Sequence, residues 1–315
     1  MDEGLFISIC IPAYRRTECL KRLLDSIGLQ SYRFFEVVIT DDSPGFEVQE
    51  LAEQHPLSSK IRYFRNQVTL GTPENWNAGI QKAKSEWIKI MHDDDWFSSS
   101  ESLLDFANII RKGSSAFYFS AYCNVYPDGR VKPVFVSDHQ LKMLQRNPLK
   151  LMAANRVGPP SVVIFRRDLS ILFDGRMQWL VDIDFYIRFL HIHPPAVYIG
   201  KNLVQIGISD SQVTRTSFGN RKIEIPERFL LLEKLNPESL NNLVLFDSWW
   251  RFIRNMRIRD EQEIAENGYP GIVPQPISSM IRFQKKIPFF ILNNRLFSKL
   301  LMGIQYLKGK IFTAT

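Results

Sequence analysis

The sequence predicts an α/β protein with a mostly parallel central sheet, flanking helices and a helical C-terminal extension. Strand-like and helix-like runs alternate through the first 125 residues, and polar clusters follow directly on several of the strand-like runs. With 315 residues, 45% of them apolar, the chain is long enough to bury a large core.

Residues 6–11 read as a buried strand, and 18–29 as a helix with apolar positions three and four apart. Residues 35–40 give a second strand and 48–54 a short helix. A third strand spans 61–64 and an apolar fourth spans 87–91. Between them, 73–84 is a helix opening on Pro73, where a missing N–H costs nothing. This βαβαβαβ order implies parallel pairing, with ligands held where the strands end. The segments following the first, second and fourth strands are 12–16, 41–43 and 92–95. From 116 to 135 short β segments surround the turn Pro127-Asp128-Gly129. Helical patterns cover 140–155 and 182–193, and 162–165 and 196–208 are strand-like. Past Pro226 the chain reads as helical over 230–235, 240–256 and 261–266, before a Pro/Gly-rich linker at 268–276 and a basic tail.

Cys10, Cys19 and Cys123 are odd in number and lack metal-ligand spacing, so reduced thiols in a reducing compartment are expected. The start Met1-Asp2-Glu3-Gly4 has neither the basic flank nor the apolar core of a secretory signal, and no window reaches 18 uncharged apolar residues. The protein is expected to be neither exported nor membrane-spanning. Its charge is uneven: no acidic residue follows Glu266, while Arg282, Lys285, Lys286, Arg295, Lys299, Lys308 and Lys310 account for the whole net charge of +7. From 289 onward Leu292, Leu296, Leu300, Ile304, Leu307 and Ile311 recur at helical steps, with Arg295, Lys299 and Lys308 elsewhere around the helix. Such a helix suits an anionic membrane surface, each cation near it adding about 1 kcal/mol. Packing on the parent domain or in a homodimer is the competing reading. Nucleic acid is not an expected partner, because the basic residues alternate with aliphatics and not with stacking aromatics.

His92-Asp93-Asp94-Asp95 closes the fourth strand. Clustered carboxylates repel one another and are costly to bury unpaired. A Mn²⁺ or Mg²⁺ ion removes that conflict, taking one or two carboxylates and filling its shell with water and a substrate's phosphates. A ring beside the first strand can stack on a base, and a carboxylate ending the second can accept a ring N–H; Tyr14 and Asp42 stand at those places. The plainer alternatives are a solvated acidic turn, a packing tyrosine and a helix-capping pair at Asp41-Asp42.

The residues Ser8-Ile9-Cys10-Ile11-Pro12-Ala13-Tyr14-Arg15-Arg16 and Phe35-Glu36-Val37-Val38-Ile39-Thr40-Asp41-Asp42-Ser43 come first in a longer pattern. Leu70-Gly71, Asn75-Trp76-Asn77-Ala78-Gly79-Ile80, Ala83, Glu86-Trp87 and His92-Asp93-Asp94-Asp95 complete it. In order and spacing this pattern resembles the inverting, GT-A fold glycosyltransferases of family 2, of the bacterial surface-polysaccharide type, over roughly residues 5–210. The resemblance implies metal-dependent transfer of a sugar, with inversion, from a nucleotide-diphosphate donor to a hydroxyl. A UDP-sugar is the expected donor and a polyprenyl-linked saccharide the expected acceptor, as in O-antigen or capsule synthesis. It implies nucleotide-binding roles for Pro12, Ala13, Tyr14 and Arg16, a base contact for Asp42 and a ribose contact for Asp93. Asp94 becomes the metal ligand, with Asp95 supporting the turn and standing as a second candidate ligand. The motif commonly begins with Asp; His92 stands in that place here and its role is left open.

The segment from Trp179 to Arg188 resembles the family's acidic helix start followed by a basic residue, which makes Asp182 the catalytic base. Val181 replaces the Glu that often precedes it, and Asp184 is a competitor. Asn155-Arg156-Val157-Gly158-Pro159-Pro160-Ser161 resembles the acceptor-side loop, so Gly158, Pro159 and Ser161, with Asn75, are candidates to touch the sugars. Arg215 falls where a loop often closes on the diphosphate. On this reading 1–215 is the catalytic domain, with a nucleotide-sugar and metal half at 1–100 and an acceptor half at 101–215. Residues 216–267 are a helical extension, and 268–315 a linker and membrane-associating tail on the inner face of the bacterial cytoplasmic membrane. Two rivals stand beside it. A sugar nucleotidyltransferase would want a Gly-rich loop that 12–16 lacks, and a non-catalytic nucleotide-sugar-binding scaffold is hinted at only by His92 and Val181.

Overall fold

A computed structural model describes residues 4–209, 217–235 and 237–313. Among them, the residues within 1–148, 156–177 and 181–212 form one compact unit, and those within 149–155, 178–180 and 213–315 a second.

The first unit is built on a nine-stranded sheet. Strands β1 (Ile7–Ala13), β2 (Phe35–Asp41), β3 (Ile61–Arg65) and β4 (Trp87–Ile90) pair in parallel in the order β3-β2-β1-β4. Helices α1 (Thr17–Gly28), α2 (Glu47–Gln54) and α3 (Glu74–Lys82) connect them, and β2 is buried along its whole length, as a strand covered on both faces should be. The three- and four-residue spacing of Leu20, Leu23, Leu24 and Ile27 gives α1 one buried stripe. Register pairs Ala13 with Asp41 and Cys10 with Ile90, so β1, β2 and β4 end along the same edge. Segments 12–16, 41–43 and 92–95 converge there.

The rest of the sheet is mixed. Strand β5 (Trp96–Phe97) runs antiparallel to β9 (Ala196–Gly207), and β8 (Val163–Arg166) lies antiparallel between β4 and β6 (Phe117–Val125). Strand β7 (Val131–Val134) returns beside β6 through the turn at 127–130, a connection short enough to allow only antiparallel pairing. The β6–β9 pair is parallel. Helices α4 (Ser102–Lys112), α5 (Asp138–Arg146) and α6 (Val181–Ile192) complete this unit. The helical pattern read over 140–155 stops as an α-helix at Arg146, because Pro148 has no N–H to continue it and a 3₁₀ turn, Pro148–Met152, follows. An aromatic cluster fixes α6: Phe185 and Phe189 sit 5.0 and 5.6 Å from Phe165, and Phe189 lies 5.8 Å from Phe117.

The second unit is helical: α7 (Arg221–Lys234), α8 (Leu243–Asn255), α9 (Gln262–Glu266), α10 (Gln275–Lys285), α11 (Phe289–Asn293) and α12 (Arg295–Thr313). Helix α7 begins before Pro226, and α10 grows out of the Pro/Gly-rich stretch with Pro276 in its first turn, where proline is tolerated. Phe229, Trp249, Trp250, Ile277, Ile281 and Leu292 form its core. Glu227 is buried and accepts from the backbone N–H groups of Gln178, Trp179 and Leu180 at 2.7–2.9 Å. Helix α12 packs on α8, α10 and α11. Its buried face carries Ser298, Met302 and Gln305, while Leu296, Phe297, Leu300, Ile304 and Leu307 are 39–81% exposed. Among the described residues no helix is long and apolar enough to cross a membrane.

Candidate active site

Arg15 turns the chain at the end of β1 with φ at 63°, a conformation rare for a residue bearing a side chain, and its N–H donates to Ser43 Oγ at 2.8 Å. That bond ties the β1 loop to the β2 loop. Tyr14 is left 46% exposed, with the Arg15 guanidinium over its ring at 5.0 Å from the centre. Ala13 is buried, and its carbonyl accepts from Asp42 N–H at 3.1 Å; Pro12, beside it, is half-buried.

Asp42 is buried, and both of its oxygens work for the protein. Oδ1 accepts from Leu70 N–H at 3.0 Å and Asn66 Nδ2 at 2.8 Å, and Oδ2 from Gly71 N–H at 2.8 Å. These bonds fold 66–71 over the end of β2. A carboxylate offers about four acceptor directions, so these three bonds leave one at Oδ2. Asp41 is occupied by Tyr63 O–H at 2.7 Å and Ser43 N–H at 2.8 Å. Asn75 is also engaged: Nδ2 donates to Thr40 O at 3.0 Å and Ala13 O at 3.5 Å, and Oδ1 accepts from Asn66 at 3.0 Å. Its amide shapes the end of the sheet. A cleft of ≈ 590 Å³ opens at this point, lined by Asp42, Ser43, Pro44, Arg65, Asn66, Gln67 and Thr69.

The carboxylate turn is almost closed to solvent, with Asp93, Asp94 and Asp95 2%, 8% and 2% exposed. Arg16 spans it, donating through Nε and Nη2 to Asp93 and through Nη1 to Asp94 Oδ2 at 2.9 Å. Burial alone would lower the Arg16 pKa, but the two carboxylates outweigh it and raise it. Arg22, stacked 3.9 Å from the Trp96 ring, donates to Asp94 O at 2.7 Å. Gly207 N–H donates to Asp95 Oδ1 at 3.1 Å, and a Cβ at Gly207 would collide with the Asp94 carbonyl. From the other side His92 N–H donates to Ser161 Oγ at 2.9 Å, the Ser161 hydroxyl also bonds Asp95, and the Ser161 carbonyl accepts from Lys89. Ser161 is fully buried, so its side chain braces this turn.

Burial pushes Asp95 up to about 8, with the Asp94 charge adding to the effect. It pushes Asp93 up to about 7 even though Arg16 opposes it. Burial also lowers His92 to about 4, leaving a neutral ring near pH 7. The turn thus holds more acid than its neighbours neutralise. Carboxylate oxygens of Asp94 and Asp95 and a ring nitrogen of His92 lie within 4.8 Å of one another, and His92 Nε2 is buried with no hydrogen-bond partner. Those residues fit a divalent cation.

Asp182 lies in the first turn of α6, half-buried, with Oδ1 accepting from Ile183 N–H at 2.8 Å. Burial raises the phenols of Tyr122 and Tyr186 above their ordinary range, and the charge of Asp182 raises them further. Tyr186 O–H donates to Gly158 O at 3.1 Å. Gly158 has φ at 106° and the Tyr122 ring stands where its Cβ would be, so glycine is required. Segment 158–161, with Pro159 half-buried, therefore runs from Tyr186 to His92 and Asp95, joining the Asp182 helix to the carboxylate turn. Asp184 is fully buried and ion-paired to Arg188 at 2.6 Å, which leaves Asp182 as the more accessible carboxylate of α6. Arg215 lies outside the described residues.

Lys89, Arg22, Tyr122 and Tyr186 were not singled out by their sequence context. Lys89 had a signal, a lone cation in the interior run Trp87–Ile90; the tyrosines look like core aromatics and Arg22 like any exposed helix cation.

A mixed sheet whose parallel half ends in a polar cleft and a carboxylate turn defines the GT-A class of sugar-nucleotide transferase folds. The chain belongs to glycosyl transferase family 2, whose sequence profile matches residues 8–170. An uncharacterised glycosyltransferase of Haemophilus influenzae is 24% identical over 189 residues, 58% of this chain and 62% of that protein. The GalNAc(5)-diNAcBac-PP-undecaprenol β-1,3-glucosyltransferase of Campylobacter jejuni is 26% identical over 91 residues, 28% of this chain and 29% of its own length. Among solved structures, Staphylococcus aureus TarS 1–349 in complex with UDP-GlcNAc superposes with a TM-score of 0.56 at 17% identity, covering 95% of this chain and 79% of that one. The mannosyltransferase PcManGT of Pyrobaculum calidifontis, in complex with GDP-Man and Mn²⁺, gives 0.57 at 12% identity, with 98% and 87% covered. These structures share the fold.

Proposed function

We propose that the chain transfers a sugar from a nucleotide-diphosphate donor, first of all a UDP-sugar, to a hydroxyl of a saccharide acceptor with inversion. The observation that carries this reading is the buried turn 93–95 linked to Asp182 through the single segment 158–161. The exposed ring of Tyr14 and the remaining acceptor direction of Asp42 Oδ2 would hold the base between the Pro12 and Ala13 backbone and the 66–71 loop. Asp93 would meet the ribose. Asp94, with Asp95 behind it, would hold Mn²⁺ or Mg²⁺, which when bound offsets the charge of the departing diphosphate. Arg16 places a second positive charge at the same point. Asp182 would take the proton from the acceptor hydroxyl as that oxygen attacks the anomeric carbon. The catalytic work falls within 1–215 and membrane contact within 268–315. TarS with UDP-GlcNAc and PcManGT with GDP-Man and Mn²⁺ support a sugar-nucleotide donor and a metal, and the undecaprenol-linked substrate in the Campylobacter relative's name supports a lipid-linked acceptor. Release of nucleoside diphosphate from a panel of sugar nucleotides, with and without Mn²⁺, tests the reading. Turnover should need the metal and fall by about 10²–10⁴ in Asp182→Asn. Metal-independent turnover, or none with any donor, sinks the proposal, and an undiminished Asp182→Asn rate removes that residue as base.

The outward face of α12 supports docking on an anionic membrane surface. Polar Ser298 and Gln305 point inward while five large apolar side chains are exposed, with Arg295, Lys299 and Lys308 on the same helix and no acidic residue after Glu266. That would make the protein peripheral to the inner face of the cytoplasmic membrane, beside a lipid-carried acceptor. Phosphatidylglycerol vesicles should float the full chain and lose it when Leu300 and Leu307 are both changed to Glu. Flotation that survives those changes, or a dimer in their absence that they dissolve without any vesicle binding, contradicts the membrane assignment.

A further inference from the structure

The backbone and the ring face of His92 are both held, while its ring nitrogens make no hydrogen bond. Its N–H donates to Ser161 Oγ at 2.9 Å, its carbonyl accepts from Asp95 N–H at 3.1 Å, and its ring rests 4.8 Å from that of Trp76. Trp76 is itself set edge-on to Phe173 at 5.1 Å, so the imidazole plane has little freedom. Yet Nε2 is buried without a hydrogen-bond partner, and Nδ1 stands 4.0 Å from Asp95 Oδ2, too far for a hydrogen bond. A buried ring nitrogen left unpaired is costly, and in a ring fixed in this way it calls for a compensating partner.

The neighbours identify that partner. A ring nitrogen of His92 and carboxylate oxygens of Asp94 and Asp95 lie mutually within 4.8 Å, a little wider than the roughly 4.2 Å that separates opposite ligands about 2.1 Å from one metal ion. We infer that His92 is the third protein ligand of the cation bound by Asp94 and Asp95, at a position where the resemblance has aspartate. This rests on the metal reading above. It adds that a nitrogen donor replaces an oxygen donor, which moves preference away from Mg²⁺ and toward Mn²⁺, Co²⁺ or Zn²⁺. Trp76 then acts as a positioning residue that aims the ring.

The test uses the full chain loaded with Mn²⁺, alone and with UDP, grown either with natural-abundance histidine or with ¹⁵N-histidine. Pulsed EPR of the bound Mn²⁺ should show a directly coordinated ¹⁴N nucleus that becomes ¹⁵N in the labelled protein and vanishes in His92→Asp. By competition titration, His92→Asp should narrow the Mn²⁺ over Mg²⁺ affinity ratio by about tenfold. Bound Mn²⁺ that depends on Asp94 but shows no nitrogen coupling overturns the inference and leaves the metal reading standing. Mn²⁺ affinity that is unchanged in Asp94→Asn overturns both. The isotope exchange needs no variant, so a misfolded His92→Asp cannot hide the answer.

Discussion

Replacing Lys89 with methionine should change stability in a pH-dependent way that follows from the residue's surroundings. The side chain is fully buried, with its ammonium donating to Ser161 O and lying 3.5 Å from Ile90 O, between the rings of Phe97 and Phe106. Burial lowers its pKa from 10.5 to about 7. Between those two values the unfolded chain holds one more proton than the folded chain, so wild-type stability rises with pH by up to about 1.4 kcal/mol per unit. Below pH 7 both states keep the proton, and above 10.5 both have lost it. Methionine fills similar space and does not titrate. The stability of Lys89→Met relative to wild type should therefore be nearly constant from pH 5 to 6.5 and then fall by about 2 kcal/mol between pH 7 and 9. Urea unfolding of both proteins across that range measures it; titrating groups remote from Lys89 cancel in the difference, and making the comparison in an Asp95→Asn background removes the one carboxyl that is coupled to Lys89 and titrates in the same window. A flat difference would show that the amine keeps its proton in the fold, and would refute the account of Lys89 as a desolvated lysine. Because the amine also holds the Ser161 carbonyl, the variant should lose turnover at every pH.

Glu36 is held below its ordinary pKa: burial would raise it, but bonds from Ser8 Oγ, Lys84 N–H and Arg62 outweigh that. The stability it supplies is present above about pH 4.5 and is lost as the pH falls through its folded value, so Glu36→Gln should be clearly less stable at pH 7 and its deficit should shrink as the pH is lowered below 4.5. A deficit that does not change with pH means the loss is in packing. Gly207→Ala should keep the fold but bind Mn²⁺ at least tenfold more weakly, since a Cβ there displaces the Asp94 carbonyl; unchanged affinity by titration counts against that contact. Arg188→Met removes the cation neutralising the fully buried Asp184 and should cost about 3–5 kcal/mol, most of it recovered by adding Asp184→Asn; a cost below about 1 kcal/mol in urea would mean the charge is satisfied elsewhere.

How far the sequence could be read depended on whether the cause of a feature was local. Strands β1 to β4 and helices α1 to α3 were legible because apolar spacing along each segment decides which side it buries, and helical crossovers force parallel pairing. The order β8-β6-β9-β5 was not, since a strand's partner beyond its own hairpin is set by residues far away in the chain. The site divides in the same way. The loops at 12–16, 41–43 and 92–95 were found because polar residues directly after buried strands have a reason to be there. Their internal wiring was hidden. Asp42 spends three hydrogen bonds on the loop at 66–71, Ser161 turns inward as a brace, and Lys89 lies inside a run that reads as apolar.

The tail shows the limit most sharply. Periodicity states which residues of α12 share a face, but not which face looks inward, and hydropathy alone would bury Leu296, Leu300 and Leu307. The neighbours choose otherwise. Trp250 Nε1–H and Arg254 Nη1 both donate to Ser298 Oγ at 3.0 Å, and Gln305 Nε2 donates to Ser279 Oγ at 2.6 Å. Rotating the helix to bury its leucines would strip the buried indole N–H and Gln305 of their partners, at about 1–3 kcal/mol each. The polar face is thus selected by groups already fixed in the core of this unit, and the apolar face is left outward. A soluble helix normally gains by the opposite arrangement, and the outward leucines, with the basic residues that share the helix, are the grounds for the membrane docking proposed above.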